Sequence, residues 1–215
     1  MHEKIKMTNQ KVVITGGNGG MAKAIAELLT KERYNVKNPG RDKLDITNFI
    51  TVCKYMEIEQ PDILINVAGF IKPNKIKDTK YWEWHEHINV NLTGAFYCIH
   101  YAIKYGCNTV INIGSTSAFE GREGWGAYCA SKAGLMSLTE SLAKEGVNSY
   151  GLHPSRTKTK MREKLFPDED QKTLMPPERI AEFVLKILNK EFKNGSHIIV
   201  KKDNFIVLPS RECPK

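Results

Sequence analysis

The sequence lacks a hydrophobic run long enough to cross a bilayer. Its longest weakly interrupted apolar stretch, Ile63 to Ile71, is about half of what a membrane span requires. The apolar core of a signal peptide is also missing, because residues 1–10 carry charge instead. These two absences predict a soluble, cytoplasmic protein with no membrane partner. Cysteine is scarce too: Cys53, Cys98, Cys107, Cys129 and Cys213 are odd in number and include no Cys-x-x-Cys pair. That pattern argues against a disulfide framework and a structural zinc site. Repeats, low-complexity tracts and linkers do not occur. The 215 residues are therefore expected to form one domain spanning 1–215, and 41% hydrophobic content is enough for a packed core.

What the chain has in excess is positive charge, +8 with a pI of about 9.1. A basic protein invites a nucleic-acid reading, since clustered Lys and Arg neutralise phosphates. The distribution argues against it. Basic residues are spread along the chain, with one modest concentration at Arg156, Lys158, Lys160, Arg162 and Lys164 and no interleaved aromatics. No nucleic-acid partner is expected. A metal site is not expected either: in Trp82-Glu-Trp-His-Glu-His87 the two histidines are two apart and would leave a helix on nearly opposite sides.

Lys11-Val-Val-Ile-Thr15 is a β-branched run that stops at Gly16-Gly-Asn-Gly-Gly20, after which Met21, Ala22, Ile25, Ala26, Leu28 and Leu29 recur at helical spacing. The alternation repeats. Ile63 to Val67 ends at Gly69, and a helical stripe of Trp84, Ile88, Leu92, Ala95, Phe96, Ile99 and Ile103 follows. Thr109 to Ile113 is another buried strand, and Tyr128 to Lys144 another helix. Val147 to Leu152 then reads as a strand, Pro176-Pro177 opens a helix with apolar Ile180, Phe183, Val184, Ile187 and Leu188, and Ile198 to Val200 closes the sheet. Apolar strands between amphipathic helices predict an α/β fold, a Rossmann-like doubly wound parallel sheet covered on both faces. Pro154 to Met175 is long, polar and basic, and would lie beyond the carboxyl end of a strand, where open parallel sheets bind ligands.

Two constellations carry chemistry. The glycine cluster sits where a phosphate-binding turn belongs, since glycine admits a pyrophosphate to the backbone and the following helix presents free N–H groups. Tyr128-Cys-Ala-Ser-Lys132 puts a phenol and an ammonium four apart on one helix face, with the Ser115 hydroxyl at the carboxyl end of the sheet. A phenol near its ordinary pKa of ~10 cycles protons poorly at neutral pH, and a nearby ammonium would favour the phenolate.

In order along the chain, these motifs resemble those of the short-chain dehydrogenase/reductases. The family's Thr-Gly-x-x-x-Gly-x-Gly turn is similar to Thr15-Gly-Gly-Asn-Gly-Gly-Met-Ala22, its Asn-Asn-Ala-Gly to Asn66-Val-Ala-Gly69, and its Asn-bearing helix motif to Val90-Asn-Leu-Thr-Gly94. Ser115, Tyr128 and Lys132 match the remaining catalytic positions, and Pro154-Ser-Arg-Thr-Lys-Thr159 resembles the segment bordering the nicotinamide. The resemblance implies an enzyme in which Tyr128 protonates a carbonyl oxygen as hydride arrives and Ser115 hydrogen-bonds that oxygen. Lys132 would bind the nicotinamide ribose and lower the Tyr128 pKa, and Asn91 would help hold a water. It implies coenzyme contacts from Gly16, Asn18, Gly20, Met21, Asp45, Ile46, Asn66, Ala68, Gly69, Tyr128, Lys132, Pro154, Thr157 and Thr159. Departures are Ala22 for the last glycine of the turn, Val67 for the second Asn, and Ser155 for the glycine after Pro154. Serine at 155 would be strained if that backbone needed positive φ.

Coenzyme choice follows from charge. The second strand, Tyr34 to Val36, leads into Lys37-Asn-Pro-Gly-Arg41 without the carboxylate that would hold the ribose hydroxyls of NAD. Lys37 and Arg41 suit a 2′-phosphate, so NADP is expected over NAD. The few residues between Val36 and Leu44 cannot hold a crossover helix. The helix between strands 2 and 3 should be missing, Leu44 to Ile46 should be a vestigial or absent third strand, and the sheet should have about six strands ordered 2-1-4-5-6-7 in the family's numbering.

The expected reaction interconverts a carbonyl and an alcohol on a small molecule, with a substrate lid at about 155–175. The lid's basic residues could meet an anionic substrate, a carrier protein or only water. In the family the helices matching those of Asn91 and Tyr128 form a dimer interface, so a homodimer or homotetramer is expected. The rival reading is a catalytically idle dinucleotide-binding regulatory or scaffold protein. A nucleotide-sugar epimerase or dehydratase would need a larger carboxyl-terminal domain than this chain has room for.

Overall fold

The computed structural model describes residues 9–211; Met1 to Thr8, considered above for a signal peptide, and Cys213 lie outside the described residues. β1 (Lys11–Ile14) runs through the glycine turn into α1 (Gly20–Lys31), and the chain returns as β2 (Asn35–Lys37). α2 (Phe49–Glu59) leads to β3 (Ile63–Asn66). Then come α3 (Tyr81–Ile88), a single π-helical turn (Asn89–Thr93), α4 (Gly94–Lys104) and β4 (Thr109–Ile113). The remaining elements are α5 (Gly126–Lys144), β5 (Asn148–Pro154), α6 (Lys160–Leu165), α7 (Glu178–Leu188), β6 (His197–Val200) and β7 (Phe205–Leu208).

The sheet order is β2-β1-β3-β4-β5-β6-β7, parallel except for the β6–β7 pair. The doubly wound arrangement is as expected, because strands such as Ile63–Asn66 are buried on both faces and must be covered twice. α1 and α7 cover one face, where Ile25, Leu29, Ile180, Phe183, Val184 and Ile187 pack on Val12, Ile14, Ile65 and Leu152. Each such side chain contributes about 1.5–3 kcal/mol relative to an exposed one. α2, α4 and α5 cover the other face through Val52, Met56, Cys98, Ile99, Ala102 and Leu142.

Three details differ from the sequence expectation. The sheet has seven strands rather than about six, because an antiparallel edge strand, β7, follows β6; its Phe205, Ile206 and Val207 are exposed and give no alternating burial signal. α2 also goes beyond that expectation. Its buried stripe is only Val52 and Met56, although Asn48 caps it by accepting hydrogen bonds from the Ile50 and Thr51 N–H groups. Third, the helical run from Tyr81 to Lys104 is not one regular helix. The π-helical turn shifts its phase, so that Trp84 and Phe96, placed on the apolar stripe by spacing, are exposed while Asn91 is buried.

No helix forms between residues 37 and 44, and Leu44 to Ile46 is not a strand; Leu44 and Ile46 instead plug the second core cluster. In the sheet the chain moves from β1 outward to β2 and then back past β1 to β3, and this reversal opens a crevice at the carboxyl ends of β1 and β3. Among the described residues no helix is long and apolar enough to cross a membrane.

Candidate active site

The glycine turn is shaped by the strands around it. Thr15 Oγ1 accepts the N–H groups of Val67 (3.0 Å) and Ala68 (3.1 Å), fastening the end of β1 to the end of β3. Gly16 then turns with φ +75°, and a Cβ there would lie 2.8 Å from Ala68 Cα, so both backbone conformation and space require glycine. The amino end of α1 faces a cavity of about 410 Å³. Of the residues expected to hold coenzyme, Gly16, Asn18, Gly20, Met21, Arg41, Asp45, Ile46, Ala68, Gly69 and Thr159 line it.

Other expected contacts lie elsewhere. Lys37 does not line this cavity; its ammonium pairs with Glu59 at 3.7 Å. The Asn66 side chain is buried and donates to Asn112 Oδ1 (2.9 Å), while Asn112 donates to Thr139 Oγ1 (3.0 Å), so it serves as a strut from β3 through β4 to α5. Pro154, Thr157 and Tyr128 line a second, smaller cavity of about 110 Å³, and Lys132 lines neither. Lys23, exposed in the first turn of α1, lines the large cavity although sequence reasoning passed it over; its position just after the glycine turn was the available signal. Asp45 accepts from Thr47 N and Oγ1 and pairs with Arg41 Nε at 3.2 Å. Partial burial opposes its charge, but the Thr47 and Arg41 hydrogen bonds prevail and hold its pKa below the ordinary carboxylate value.

The segment after β3 is gripped from two sides. Asn91, turned inward by the π-helical turn, accepts from Phe70 N (2.7 Å) and donates to Phe70 O (2.8 Å) and Ser131 Oγ (3.0 Å). His87 accepts the Lys72 N–H (3.1 Å) while its Nδ1 lies 2.7 Å from Glu83 O, which defines it as the Nδ1–H tautomer. The His87 imidazole is therefore a structural clamp. Among the described residues, no cluster of His, Cys, Asp or Glu could hold a metal ion. Asn91 links this segment to α5, where Ser131 donates to the Tyr128 carbonyl at 2.8 Å.

Ser115, Tyr128 and Lys132 converge. The Tyr128 and Ser115 side chains line the same small cavity, and Ser115 Oγ accepts the Ser117 N–H at 3.1 Å. Lys132 Nζ lies 5.9 Å from the Tyr128 ring centre and donates to the Ile113 carbonyl at 2.9 Å. Only 4% exposed, the Lys132 ammonium is pulled by desolvation from 10.5 down to about 8. The expected lowering of the Tyr128 pKa by Lys132 is not what this geometry produces. Burial pushes the phenol up, the Ser115 hydroxyl and the Arg122 guanidinium oppose that push, and the ammonium is turned toward Ile113.

Residues 155–175 are more ordered than their composition suggests. Thr157 and Met175 bridge, Lys158 N donates to Met175 O and Met175 N donates to Arg156 O (both 2.9 Å), and α6 is capped by Thr159. Glu169 binds Arg162 at 2.6 and 2.7 Å and Arg156 at 3.3 Å, absorbing part of the basic concentration. Phe166 stacks on Trp125, which meets Tyr128 edge-on, so this segment roofs the smaller cavity. Ser155 is not among the described residues with positive φ, and the strain considered above is absent. Met21, Thr159 and Met161 line both cavities, which therefore adjoin there, and Tyr128 lines the smaller one.

The family profile described as short chain dehydrogenase matches residues 49–170. An uncharacterized oxidoreductase of Staphylococcus aureus strain MW2 is 30% identical, covering 91% of this chain and 96% of its own. The 3-oxoacyl-[acyl-carrier-protein] reductase of Aquifex aeolicus strain VF5 is 34% identical over 66% of this chain and 60% of its own. A putative NAD(P) dependent gluconate 5-dehydrogenase from Beutenbergia cavernae, solved with bound NADP, superposes with a TM-score of 0.83 at 21% identity, covering 92% of this chain and 97% of that one.

Proposed function

The chain belongs to the short-chain dehydrogenase/reductase family and is an NAD(P)-dependent oxidoreductase; within that family we propose that it interconverts a carbonyl and an alcohol with NADP, using Tyr128 as general acid/base. The observation that carries this reading is that Ser115 and Tyr128 line the smaller cavity, which adjoins the large one, with the buried Lys132 ammonium 5.9 Å from the Tyr128 ring centre.

The large cavity fits a dinucleotide, because Gly16, Gly19 and Gly20 line it without side chains and its end is the positive pole of α1. Gly16, Asn18, Gly20 and Met21 would hold the diphosphate, Asp45 and Ile46 the adenine, and Ala68 and Gly69 the adjoining ribose, with Thr159 at the nicotinamide end. Arg41, 74% exposed at the cavity wall, would meet the 2′-phosphate; the NADP bound in the Beutenbergia neighbour supports the same preference. Asn66 and Lys37 act in this reading through the strand scaffold and the Glu59 pair. When bound, the nicotinamide supplies or accepts hydride.

Ser115 would hold the substrate oxygen by a hydrogen bond, and Tyr128, kept protonated by burial, would donate its proton to that oxygen during reduction. Lys132 would release the Ile113 carbonyl to take the ribose hydroxyls, and Asn91 keeps the Phe70 and Tyr128 backbones in place for both. Arg122, Arg156 and Arg162 around the smaller cavity make anionic carbonyl compounds the first substrates to screen. We also place the enzyme in the cytoplasm, which agrees with free thiols at all four described cysteines, and as a homodimer or homotetramer, for which a monomer in micromolar sedimentation would be the contrary result. Tyr128→Phe is expected to lower NADPH oxidation by at least about a thousandfold and to leave NADPH affinity within about twofold. Retained turnover would remove Tyr128 from the mechanism, and tight NADPH binding without turnover on any carbonyl would favour the idle-binder reading.

A further inference from the structure

Beneath the Ser115 turn runs a buried string of titratable side chains that the chemistry above does not use. His153 on β5 and His197 on β6 are each 1% exposed. His153 Nδ1 lies 3.3 Å from the Ser115 carbonyl oxygen, His153 Nε2 lies 3.0 Å from His197 Nδ1, and His197 Nε2 lies 3.2 Å from Glu140 Oε1. Glu140 is held in turn by Arg211 through Nε (2.8 Å), Nη2 (3.0 Å) and the backbone N–H (3.2 Å). The rings fit because Gly114 and Gly151 leave room; a Cβ at either would overlap an imidazole. Phe119 closes the site, its ring edge-on to both.

Counting hydrogens shows what the string can do. Both ends are acceptors, a carbonyl and a carboxylate, and each of the three contacts needs one hydrogen. A fully bonded string therefore carries three protons on two rings, one more than two neutral imidazoles supply. A neutral pair must leave one contact as lone pair against lone pair. The bond to the carboxylate is charge-assisted and the strongest of the three, so His197 keeps its Nε2–H on Glu140; of the two contacts open to the His153 proton, the one to His197 at 3.0 Å is shorter than the one to the Ser115 carbonyl at 3.3 Å, so His153 keeps Nε2–H. The bare nitrogen is then His153 Nδ1, facing a Ser115 carbonyl that retains its bond from Ala118 N–H at 3.0 Å.

We propose that His153 and His197 are positioning residues that take up one proton as a pair, and that this proton, by making His153 Nδ1 a donor, pins the Ser115 turn. The inference rests on the reading of Ser115 as the hydroxyl that faces the substrate oxygen. Glu140 favours the proton, whereas Arg211 and the Lys132 ammonium oppose it. Burial is the largest influence and pushes both histidines below 6.5, His153 to about 3. The pair is thus neutral at pH 7, and the turn tightens on acidification.

The test uses the full chain labelled with ¹⁵N-histidine, recording ring-nitrogen correlations from pH 8 downward together with the Ala118 amide. The expected result is Nε2–H on both rings at pH 8, then a single shared midpoint below 6.5 at which His153 Nδ1 gains its proton and the Ala118 amide shifts. Arg211→Gln, a change at an exposed side chain, should raise that midpoint by about one pH unit by removing an opposing cation. A proton on His153 Nδ1 already at pH 8, separate midpoints for the two rings, or no uptake before unfolding would each overturn the proposal. In the enzyme assay, the pH profile of kcat/KM should carry a limb at the same midpoint that moves with Arg211→Gln while NADPH affinity stays unchanged. If no carbonyl is reduced at all, the reductase reading fails, and the spectra still decide the pair.

Discussion

Lys132→Met should stabilise the fold while destroying activity. The ammonium is almost fully buried, its one hydrogen bond goes to the neutral Ile113 carbonyl, and desolvation lowers its pKa from 10.5 to about 8. A lysine that titrates near 8 in the fold and near 10.5 in the open chain makes the fold about 3 kcal/mol less stable at pH 7 than an unshifted one. Methionine has a similar length and no charge to desolvate. Loss of the bond to Ile113 takes back about 1 kcal/mol, leaving a gain of about 2 kcal/mol, or roughly 4–8 °C in Tm for a chain of this size. The sign with pH is fixed by the depressed pKa: the folded state binds fewer protons than the unfolded state, so wild-type stability rises between pH 8 and 10.5. The advantage of the variant should therefore shrink across that window and turn above it into a deficit of about 1 kcal/mol, where only the lost hydrogen bond to Ile113 remains. Denaturant titrations of both proteins at pH 7, 9 and 10.5 measure this directly. A variant less stable than wild type at pH 7, or an advantage that does not change with pH, would refute the reasoning. Such a gain on removing a group is the expected signature of a residue kept for chemistry rather than for folding.

Other consequences concern the coenzyme and the lid. Arg41→Ala should weaken NADPH about tenfold and leave NADH unchanged in a fluorescence titration, whereas Lys37→Ala should move neither, because its ammonium is paired with Glu59 away from the cavity. Glu169→Gln frees Arg156 and Arg162 at once; proteolysis within residues 156–175 should accelerate and KM should rise more than kcat falls, while an unchanged KM would show that the roof needs no ionic tie.

The sequence by itself determined the order of β1 to β6 and of the helices α1, α5 and α7, the glycine turn and the positions of Ser115, Tyr128 and Lys132. Each of these is written in local periodicity or in a short motif that needs only its neighbours to take shape. The absent crossover helix was legible for the same reason, since a handful of residues after Val36 cannot span one. Tertiary structure decided everything that depends on which side chain meets which across the sheet. Lys37 and Arg41 are equivalent cations in the sequence, yet one finds Glu59 and the other the cavity wall. Lys132 lies one turn from Tyr128, yet its ammonium turns to a strand carbonyl because a buried charge must find a partner. β7 escaped because it is an exposed edge strand with almost no burial, and α2 because its slight burial comes from α4, remote in sequence. The phase shift at Asn91 escaped because a π-helical turn is invisible to a regular helical period. The His153–His197–Glu140–Arg211 string joins two strands, a helix and the segment after β7, residues up to 71 positions apart, and only folding places them within hydrogen-bonding reach of one another.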